Sequence, residues 1–382
     1  MSMRLVIASL IAVLACRSCG ASEALPTCGR GDGRSRLVLH VGPHKTGTSS
    51  LQVFMTSHSE QLQAKLGLKV LAGWDPKAGC AAKVMWCDSP LPVQDTARPG
   101  YSQKLRGLPM EMPECAVGHE KIMPELMATM REPGSIGLLS AEALSRCTAA
   151  KFAEIRRMGE ELGFEVSVVL LHRDEASWYQ SQWSELNKRK LCPDPFHLLA
   201  PFWDVHNDLL DRVYSAFHPS CVRLTSYDWL REQQMPIEVY VICNATLQLQ
   251  GEPWQLCDRT VGDTVRQQPH TNIAHPPLLF DVVRLAYAQH QVLQSLNLCG
   301  GSAPKLRSPL EIAPGEFSDL MDKLPKRHVA WGNVFRASTE RWFNRTNAQR
   351  PTAGHTKGIF LVDEAALTQK HMAAIRENVL RC

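Results

Sequence analysis

Neither sign of charge dominates this sequence of 382 residues, since 42 lysines and arginines are set against 38 aspartates and glutamates. A net charge of +4 argues against a nucleic-acid-binding protein, which usually needs a strongly basic patch. The sequence also has no internal repeat, no low-complexity run and no block of like charges long enough to form a tail. These absences leave a globular protein whose length suits one α/β domain with insertions, over residues 35–382.

Long hydrophobic runs are also absent. The run at the N-terminus, residues 5–16, is shorter than the roughly 20 residues that a membrane-spanning helix needs. Arg4 precedes this run and small residues up to Ser22 follow it, which is the pattern of a signal peptide cleaved near Ala21. We therefore expect residues 1–22 to direct the chain into the secretory pathway, to the Golgi lumen or out of the cell. An uncleaved N-terminal anchor is the alternative, and it would be the attachment to the membrane.

Cysteine pairs with metal-binding spacing are missing outside the targeting segment, which argues against a zinc site. Of the 13 cysteines, two (Cys16 and Cys19) leave with the signal peptide, and the rest are dense for a cytosolic enzyme. We expect disulfides formed in an oxidising lumen, and the odd number predicts a free thiol or an intermolecular bridge. N-glycosylation sequons at Asn244 and Asn344 agree with that compartment.

The most informative segment that is present is residues 40–52, which reads HVGPHKTGTSSLQ. It follows an apolar run that predicts a buried strand, and it leads into the apolar spacing of a helix. A glycine-rich turn in this position directs backbone N–H groups and a helix N-terminus at a phosphate. Gly42, Gly47 and Ser49 nearly complete the Walker A pattern, but Thr48 stands at its lysine position. Lys45 lies inside the loop instead, where it would reach a 5′-phosphate and the bridging oxygen of a leaving group.

A second pattern follows another strand-like run, at residues 166–171. Arg173 comes just after this run, and Ser181 follows it by eight residues in a segment that can be helical. Arginine supplies a fork of donors suited to phosphate oxygens, and serine adds a neutral donor. Together the two patterns resemble the P-loop sulfotransferases, in which the loop binds a 5′-phosphosulfate and an Arg/Ser pair at this spacing binds the 3′-phosphate.

The resemblance implies a donor and a division of roles. The donor is 3′-phosphoadenosine-5′-phosphosulfate, a co-substrate that requires no metal, and Lys45 acts at its bridging oxygen. Arg173 and Ser181 hold the 3′-phosphate. The 5′-phosphate is held by the loop, whose residues are Gly42, Pro43, His44, Lys45, Thr46, Gly47, Thr48 and Ser49.

The resemblance also implies a general base, a histidine or glutamate near the sulfuryl group. Glu142, two residues after the strand-like run 136–140, is the best placed, and a cap for the next helix is an equally good interpretation of it. His119 is the other candidate base. It lies in a Pro-, Gly- and Cys-rich insertion at residues 73–124, which either binds the acceptor or is decorative. His44 is expected to contact the loop or the ligand.

The order of apolar runs predicts a three-layer α/β/α fold with a central parallel sheet and a P-loop, which is the nucleoside-kinase-like fold of the sulfotransferases. The predicted strands are residues 37–41, 67–72, 136–140 and 166–171. The predicted helices are residues 48–66, 149–162, a helix after residue 175, 278–296 and 365–379, with irregular chain between the last two. Because ligands bind at the carboxyl ends of parallel strands, the loop, Glu142 and Arg173 should meet at one edge.

Three interpretations of the function are open. A sulfotransferase acting on a carbohydrate, or on another hydroxyl or amine acceptor, is favoured, because the C-terminal Arg-Lys-Gly signature of the cytosolic enzymes is not found. A P-loop kinase or nucleotide hydrolase would need a lysine at position 48 and a strand-terminal acid for magnesium, for which Asp174 is the nearby candidate. A secreted binding protein without catalysis is disfavoured, because Lys45, Arg173 and Ser181 are all present.

Overall fold

The computed structural model describes residues 34–43, 45–72, 132–188, 204–267, 277–295, 317–330, 333–351 and 358–379, with Cys28 and a few short stretches between these ranges. The predicted signal peptide and most of the insertion at 73–124 lie outside the described residues.

The strands are, in chain order, β1 (Ser35–Val41), β2 (Leu68–Ala72), β3 (Trp74–Asp75), β4 (Cys80–Ala81), β5 (Ile136–Ser140), β6 (Phe164–His172), β7 (Val222–Ser226), β8 (Lys326–Ala330) and β9 (Gly358–Val362). The helices are α1 (Thr48–Ser57), α2 (Ser59–Leu66), α3 (Ala149–Glu161), α4 (Glu175–Asn187), α5 (Val205–Tyr214), α6 (Tyr227–Glu232), α7 (Ile237–Val239), α8 (Gly251–Arg266), α9 (Pro277–Ser295), α10 (Ser318–Lys323), α11 (Asn333–Arg345) and α12 (Gln369–Val379). A π-helix, Tyr240–Thr246, continues α7, and 3-10 turns occur at Glu142–Arg146, Pro219–Cys221 and Glu364–Ala366.

Five parallel strands form the central sheet in the order β2-β5-β1-β6-β7. Side chains alternate between its faces: Leu37 and Leu39 of β1 pack with α3, α5 and α11, whereas Val38 packs with α1, α2 and α8. Both faces are covered, as expected for a parallel sheet. The predicted three-layer α/β/α arrangement is therefore confirmed.

The helix predicted over residues 48–66 is two helices, because the chain leaves helical geometry at His58 (φ −125°, ψ 18°). The rings of His58 and Phe54 stack with their centres 4.7 Å apart. The backbone N–H of His58 still donates to the Phe54 carbonyl at 3.0 Å. The break changes the direction of the chain after α1 without disturbing the helix end that faces the loop.

The prediction of irregular chain between the last two predicted helices is wrong. That segment contains α10, α11 and an antiparallel pair of β8 with β9. The side chains of β8 are largely exposed, so its sequence carries no alternating pattern. This C-terminal region forms its own apolar cluster with α9 and α12. The ring centres of Phe280 on α9 and Trp183 on α4 lie 4.7 Å apart, so the C-terminal region packs against α4.

The predicted disulfides are confirmed. Cys28 pairs with Cys221, and Cys243 pairs with Cys257. Cys147 is disulfide-bonded as well. Cys192 is an exposed free thiol, in agreement with the odd cysteine count.

Within the described part of the chain, every helix is too short or too polar to cross a lipid bilayer.

Candidate active site

The turn from β1 to α1 depends on two glycines. A Cβ atom at Gly42 would lie 2.5 Å from Thr48 Oγ1 and 2.8 Å from Thr46 Oγ1, so the hydroxyls pack where a side chain would stand. Gly47 has a φ of +86°, in the left-handed region, and a Cβ there would lie 2.8 Å from Ile237 Cδ1. The glycines therefore allow the loop to close tightly over the end of β1.

The threonine hydroxyls of this loop point inward. Thr46 Oγ1 donates to the Pro43 carbonyl at 2.8 Å and lies 3.4 Å from Thr48 Oγ1, and both threonines are buried. The phosphate contacts predicted for Thr46 and Thr48 are therefore expected from their backbone N–H groups. The N-cap residue Gly47 has no side chain to accept from the first turn of α1, which suits an anion at this helix end.

Lys45 is held at its backbone carbonyl and at its ammonium by two charged side chains, one just before α4 and one on it. Its backbone has a φ of 70°, which is uncommon for a residue other than glycine. Arg173, just before α4, donates from Nη1 to the Lys45 carbonyl at 2.7 Å. Glu185, near the end of α4, forms an ion pair with Lys45 Nζ. Together, Arg173 and Glu185 hold the backbone and the ammonium of Lys45.

Glu185 also accepts a hydrogen bond of 2.7 Å from Lys188 Nζ. Burial alone would raise the pKa of Glu185, but the hydrogen bonds from Lys188 and Lys45 outweigh it, and the pKa lies below its ordinary value. The carboxylate is therefore ionised at neutral pH and shared between two ammonium groups.

Arg173 is placed for an anion by burial and by its neighbours. Its guanidinium lies 5.4 Å from the centre of the Tyr227 ring, and burial lowers its pKa. Among the described residues, its Nε is buried without a hydrogen-bond partner. A partly buried guanidinium with an unused donor fits a phosphate, which accepts several charge-assisted hydrogen bonds.

Asp174 is committed to structure. Its side chain accepts the Ser177 N–H at 2.9 Å as the N-cap of α4, and its own N–H donates to Asp228 Oδ2 at 2.7 Å. Burial raises the pKa of Asp228, an effect that the Asp174 N–H and the Arg173 charge oppose. The acid suggested for magnesium in a kinase is therefore a helix cap, and a different carboxylate lies beside the loop.

That carboxylate is Glu142. It follows β5, the neighbour of β1, and its Oε1 accepts a hydrogen bond from Ser49 Oγ at 3.1 Å. Beneath it, His40 Nδ1 lies 2.8 Å from Ser140 Oγ in a fully buried pair. Burial lowers the pKa of His40 to about 4, although the charge of Glu142 raises it in part, so His40 is neutral at pH 7.

A buried group behind Arg173 was not predicted. The potential ligand atoms of His172, Glu175 and His206 lie within 4.8 Å of one another, a grouping that could hold a metal ion. In the structure His206 Nδ1 lies 2.7 Å from Glu175 Oε1, and the Arg173 N–H lies 3.4 Å from His206 Nε2. Because Nε2 accepts the Arg173 N–H, the ring proton lies on Nδ1 and is donated to Glu175, so His206 links Glu175 to the backbone of Arg173 and fixes the end of β6.

Comparisons with known proteins identify no family. No family model matches the chain, and no curated protein matches it. Solved structures with some likeness include a chain from the PezAT chromosomal toxin-antitoxin system of Streptococcus pneumoniae, at 12% identity and a TM-score of 0.27, covering 67% of this chain and 96% of that one. A TM-score this low carries no argument about fold or function.

The structure brings three predicted groups to one edge of the sheet, namely Lys45 with its loop, Arg173 and Glu142. Ser181 lies on α4, half-buried and one helical turn before Glu185. His44 and His119 lie outside the described residues, so their predicted roles stay predictions.

Sequence reasoning missed Glu185 and Lys188. A signal existed, because Glu185 follows Ser181 by four residues and so shares its helix face. That spacing places Glu185 on the face of α4 that carries Ser181, the face assigned to the donor, but it does not identify Lys45 as the partner.

Proposed function

We propose that this protein is a sulfotransferase that moves the sulfuryl group of 3′-phosphoadenosine-5′-phosphosulfate to a hydroxyl or amine acceptor. The observation that carries the proposal is the 2.7 Å hydrogen bond from Arg173 to the Lys45 carbonyl. It joins two motifs that lie 128 residues apart and that the resemblance assigns to the two phosphate groups of one donor. The neighbouring strands β1 and β6 place both motifs at one edge of the sheet, and the direct contact supports their acting in one site.

The residues divide the work by position. The N–H groups of the loop and the first turn of α1 bind the 5′-phosphate, where a helix N-terminus favours negative charge. Arg173 and Ser181 bind the 3′-phosphate. The ammonium of Lys45 stabilises the charge that builds on the bridging oxygen as the S–O bond breaks.

Glu142 is the proposed base. It takes the proton of the acceptor hydroxyl or amine as the new bond to sulfur forms, and the electron pair of the old bond leaves with the 5′-phosphate. The Ser49 hydroxyl, 3.1 Å from Glu142 Oε1, orients the carboxylate at the loop. His119 is the alternative base.

Features of the sequence support a proposal for the acceptor class and the compartment. We propose a carbohydrate acceptor in the lumen of the secretory pathway, because the signature of the cytosolic branch is not found. The disulfides agree with an oxidising compartment, and both sequon asparagines, Asn244 and Asn344, are exposed.

A P-loop kinase or nucleotide hydrolase is the second candidate, and the contact between Ser49 and Glu142 favours it. A P-loop hydroxyl beside a strand-terminal carboxylate is the pair that holds Mg²⁺ in nucleoside triphosphatases, and magnesium there would neutralise charge on the terminal phosphates. Thr48 weighs against this candidate, because the lysine that such enzymes direct at the β- and γ-phosphates is replaced.

Calorimetry separates the two. We expect 3′-phosphoadenosine-5′-phosphate to bind the purified protein without added metal and more tightly than ATP with magnesium. Label from ³⁵S-labelled donor, offered with a panel of glycans, peptides and small alcohols, then identifies the acceptor. Tighter, magnesium-dependent binding of ATP would reject the sulfotransferase in favour of the kinase.

A further inference from the structure

We propose that Glu185 is a built-in competitor of the donor, whose carboxylate occupies the ammonium of Lys45 until the donor displaces it. This inference rests on the proposed function and concerns the regulation of the same site. It makes Glu185 a positioning residue that acts through Lys45.

The ion pair stands where the donor must bind. Lys45 is the lysine of the phosphate loop, and its ammonium is engaged by Glu185 from the facing helix. An anionic donor and Glu185 therefore need the same cation. The side chains of Lys45 and Glu185 are 26% and 37% exposed, so the pair is open to solvent and an anion can compete for it.

The backbone of Lys45 does not have to move for this exchange. The hydrogen bond from Arg173 holds the Lys45 carbonyl, and the left-handed backbone conformation of Lys45 sets the direction of its Cα–Cβ bond. The four-carbon stem of a lysine is flexible, so rotation of the side chain alone carries the ammonium from Glu185 to the loop.

Lys188 makes the displacement tolerable. A carboxylate abandoned by its partner in a partly buried position is destabilising, because its charge is left without compensation. Lys188 Nζ, 2.7 Å from the same carboxylate, stays with Glu185 after Lys45 departs. Lys45 exchanges one anion for another, and Glu185 keeps a cation.

The test is a double-mutant cycle on the affinity for 3′-phosphoadenosine-5′-phosphate, measured by calorimetry. Glu185→Gln should bind the bisphosphate about three- to tenfold more tightly than the wild type, the size expected for losing one solvent-exposed ion-pair competitor. In the Lys45→Ala background the same substitution should change the affinity less than about twofold, because the ammonium for which Glu185 and the donor compete is then absent.

Glu185→Asp separates contact from charge. The shorter side chain keeps the negative charge but draws it back from Lys45, so it should bind more tightly in the manner of Glu185→Gln. Glu132→Gln is the matched control, because Glu132 pairs with Lys69 at 3.1 Å. That pair lies near the start of β2, at the edge of the sheet opposite the loop. Its affinity should equal that of the wild type.

Each result decides something. If Glu185→Gln raises the affinity for the bisphosphate equally in the Lys45→Ala background, the effect comes from the general field of one negative charge, and the competition is overturned. Wild-type affinity in Glu185→Asp would overturn it for the same reason. Unchanged affinity in Glu185→Gln would overturn it directly. A wild-type protein that binds ATP with magnesium and not the bisphosphate would overturn the proposed function, and the competition with it.

Discussion

Two parts of the loop at residues 42–49, its Ser49 end and its middle at Lys45, are held by different kinds of contact. At the Ser49 end a neutral hydroxyl donates to Glu142, which follows the neighbouring strand. At Lys45, Arg173 just before α4 bonds the carbonyl and Glu185 on α4 bonds the ammonium. The first end suits the movement of a proton, and the second suits the balance of charge on a phosphate. The loop can therefore keep proton transfer and the stabilisation of the leaving phosphate apart, and substitutions at its two parts should have separable effects.

The largest effect is expected at the Ser49 end. Glu142→Gln should keep the affinity for 3′-phosphoadenosine-5′-phosphate and lower turnover roughly 10²–10⁴-fold, because a carboxamide cannot accept the acceptor's proton. Calorimetry and initial rates with ³⁵S-labelled donor measure the two quantities. If Glu142→Gln turns over normally while His119→Ala does not, the insertion supplies the base and the comparison between the two parts of the loop fails.

Lys45→Ala should lower turnover by about 10²–10³-fold, because charge on the leaving oxygen is greatest in the transition state. The measurement is kcat beside the dissociation constant of the bisphosphate. Lys69→Ala, which removes a lysine from the exposed ion pair with Glu132, is the control and should turn over normally. A loss confined to affinity would mean that Lys45 only binds.

The Ser49 end should also carry a pH dependence of stability, through His40. The pKa of His40 is about 4 in the folded protein against an ordinary value of 6.5, so below pH 6.5 the unfolded chain takes up a proton that the folded protein refuses. The stabilisation by neutral His40 is complete above pH 6.5 and is lost as the pH falls toward 4, by about 3 kcal/mol in total.

Urea unfolding of the disulfide-intact protein between pH 7 and 4 measures this loss. His40→Asn should flatten the pH dependence, whatever it does to stability at pH 7. Equal slopes in the two proteins would show that His40 is not the group that titrates.

The smallest effect belongs to the 3′-phosphate. Arg173→Ala should weaken binding of the bisphosphate by about ten- to a hundredfold, or roughly 1.5–3 kcal/mol, and change kcat little, because that phosphate keeps its charge throughout the reaction. Arg173→Lys should recover only part of the affinity, since it keeps the charge and loses the fork. A variant that binds normally but turns over slowly would place Arg173 at the reacting group.

The loop was predictable because its determinants are local. Two glycines, a lysine and a strand before them lie within a dozen residues; the steric reason for Gly42 acts inside the turn, and Gly47 is favoured by its own left-handed φ of +86°. The parallel sheet was predictable for a similar reason, since continuous apolar runs such as β6 are typical of strands buried on both faces.

The charge balance of the site was not predictable. Glu185 reaches Lys45 across 140 residues of sequence, and this contact depends on how α4 packs on the rest of the fold, including α9 and α11. Strand β8 was missed for another reason, because its largely exposed side chains have no core face to impose a pattern of two. Local chemistry is written in the sequence, whereas the partners of a charge depend on the tertiary fold.

The disulfide from Cys28 to Cys221 also sets a timetable for biosynthesis. Its cysteines are separated by 193 residues, which a ribosome working at roughly 5–20 residues per second takes about 10–40 seconds to add. The Cys243–Cys257 loop, with a separation of 14, is complete within about 1–3 seconds at the same pace. Cys28 therefore waits as a thiol, or in exchange with a transient partner, through the synthesis of β1, β5 and β6. Its native bond can form only after Cys221, the residue before β7, has been added, when β1, β5 and β6 have already been synthesised.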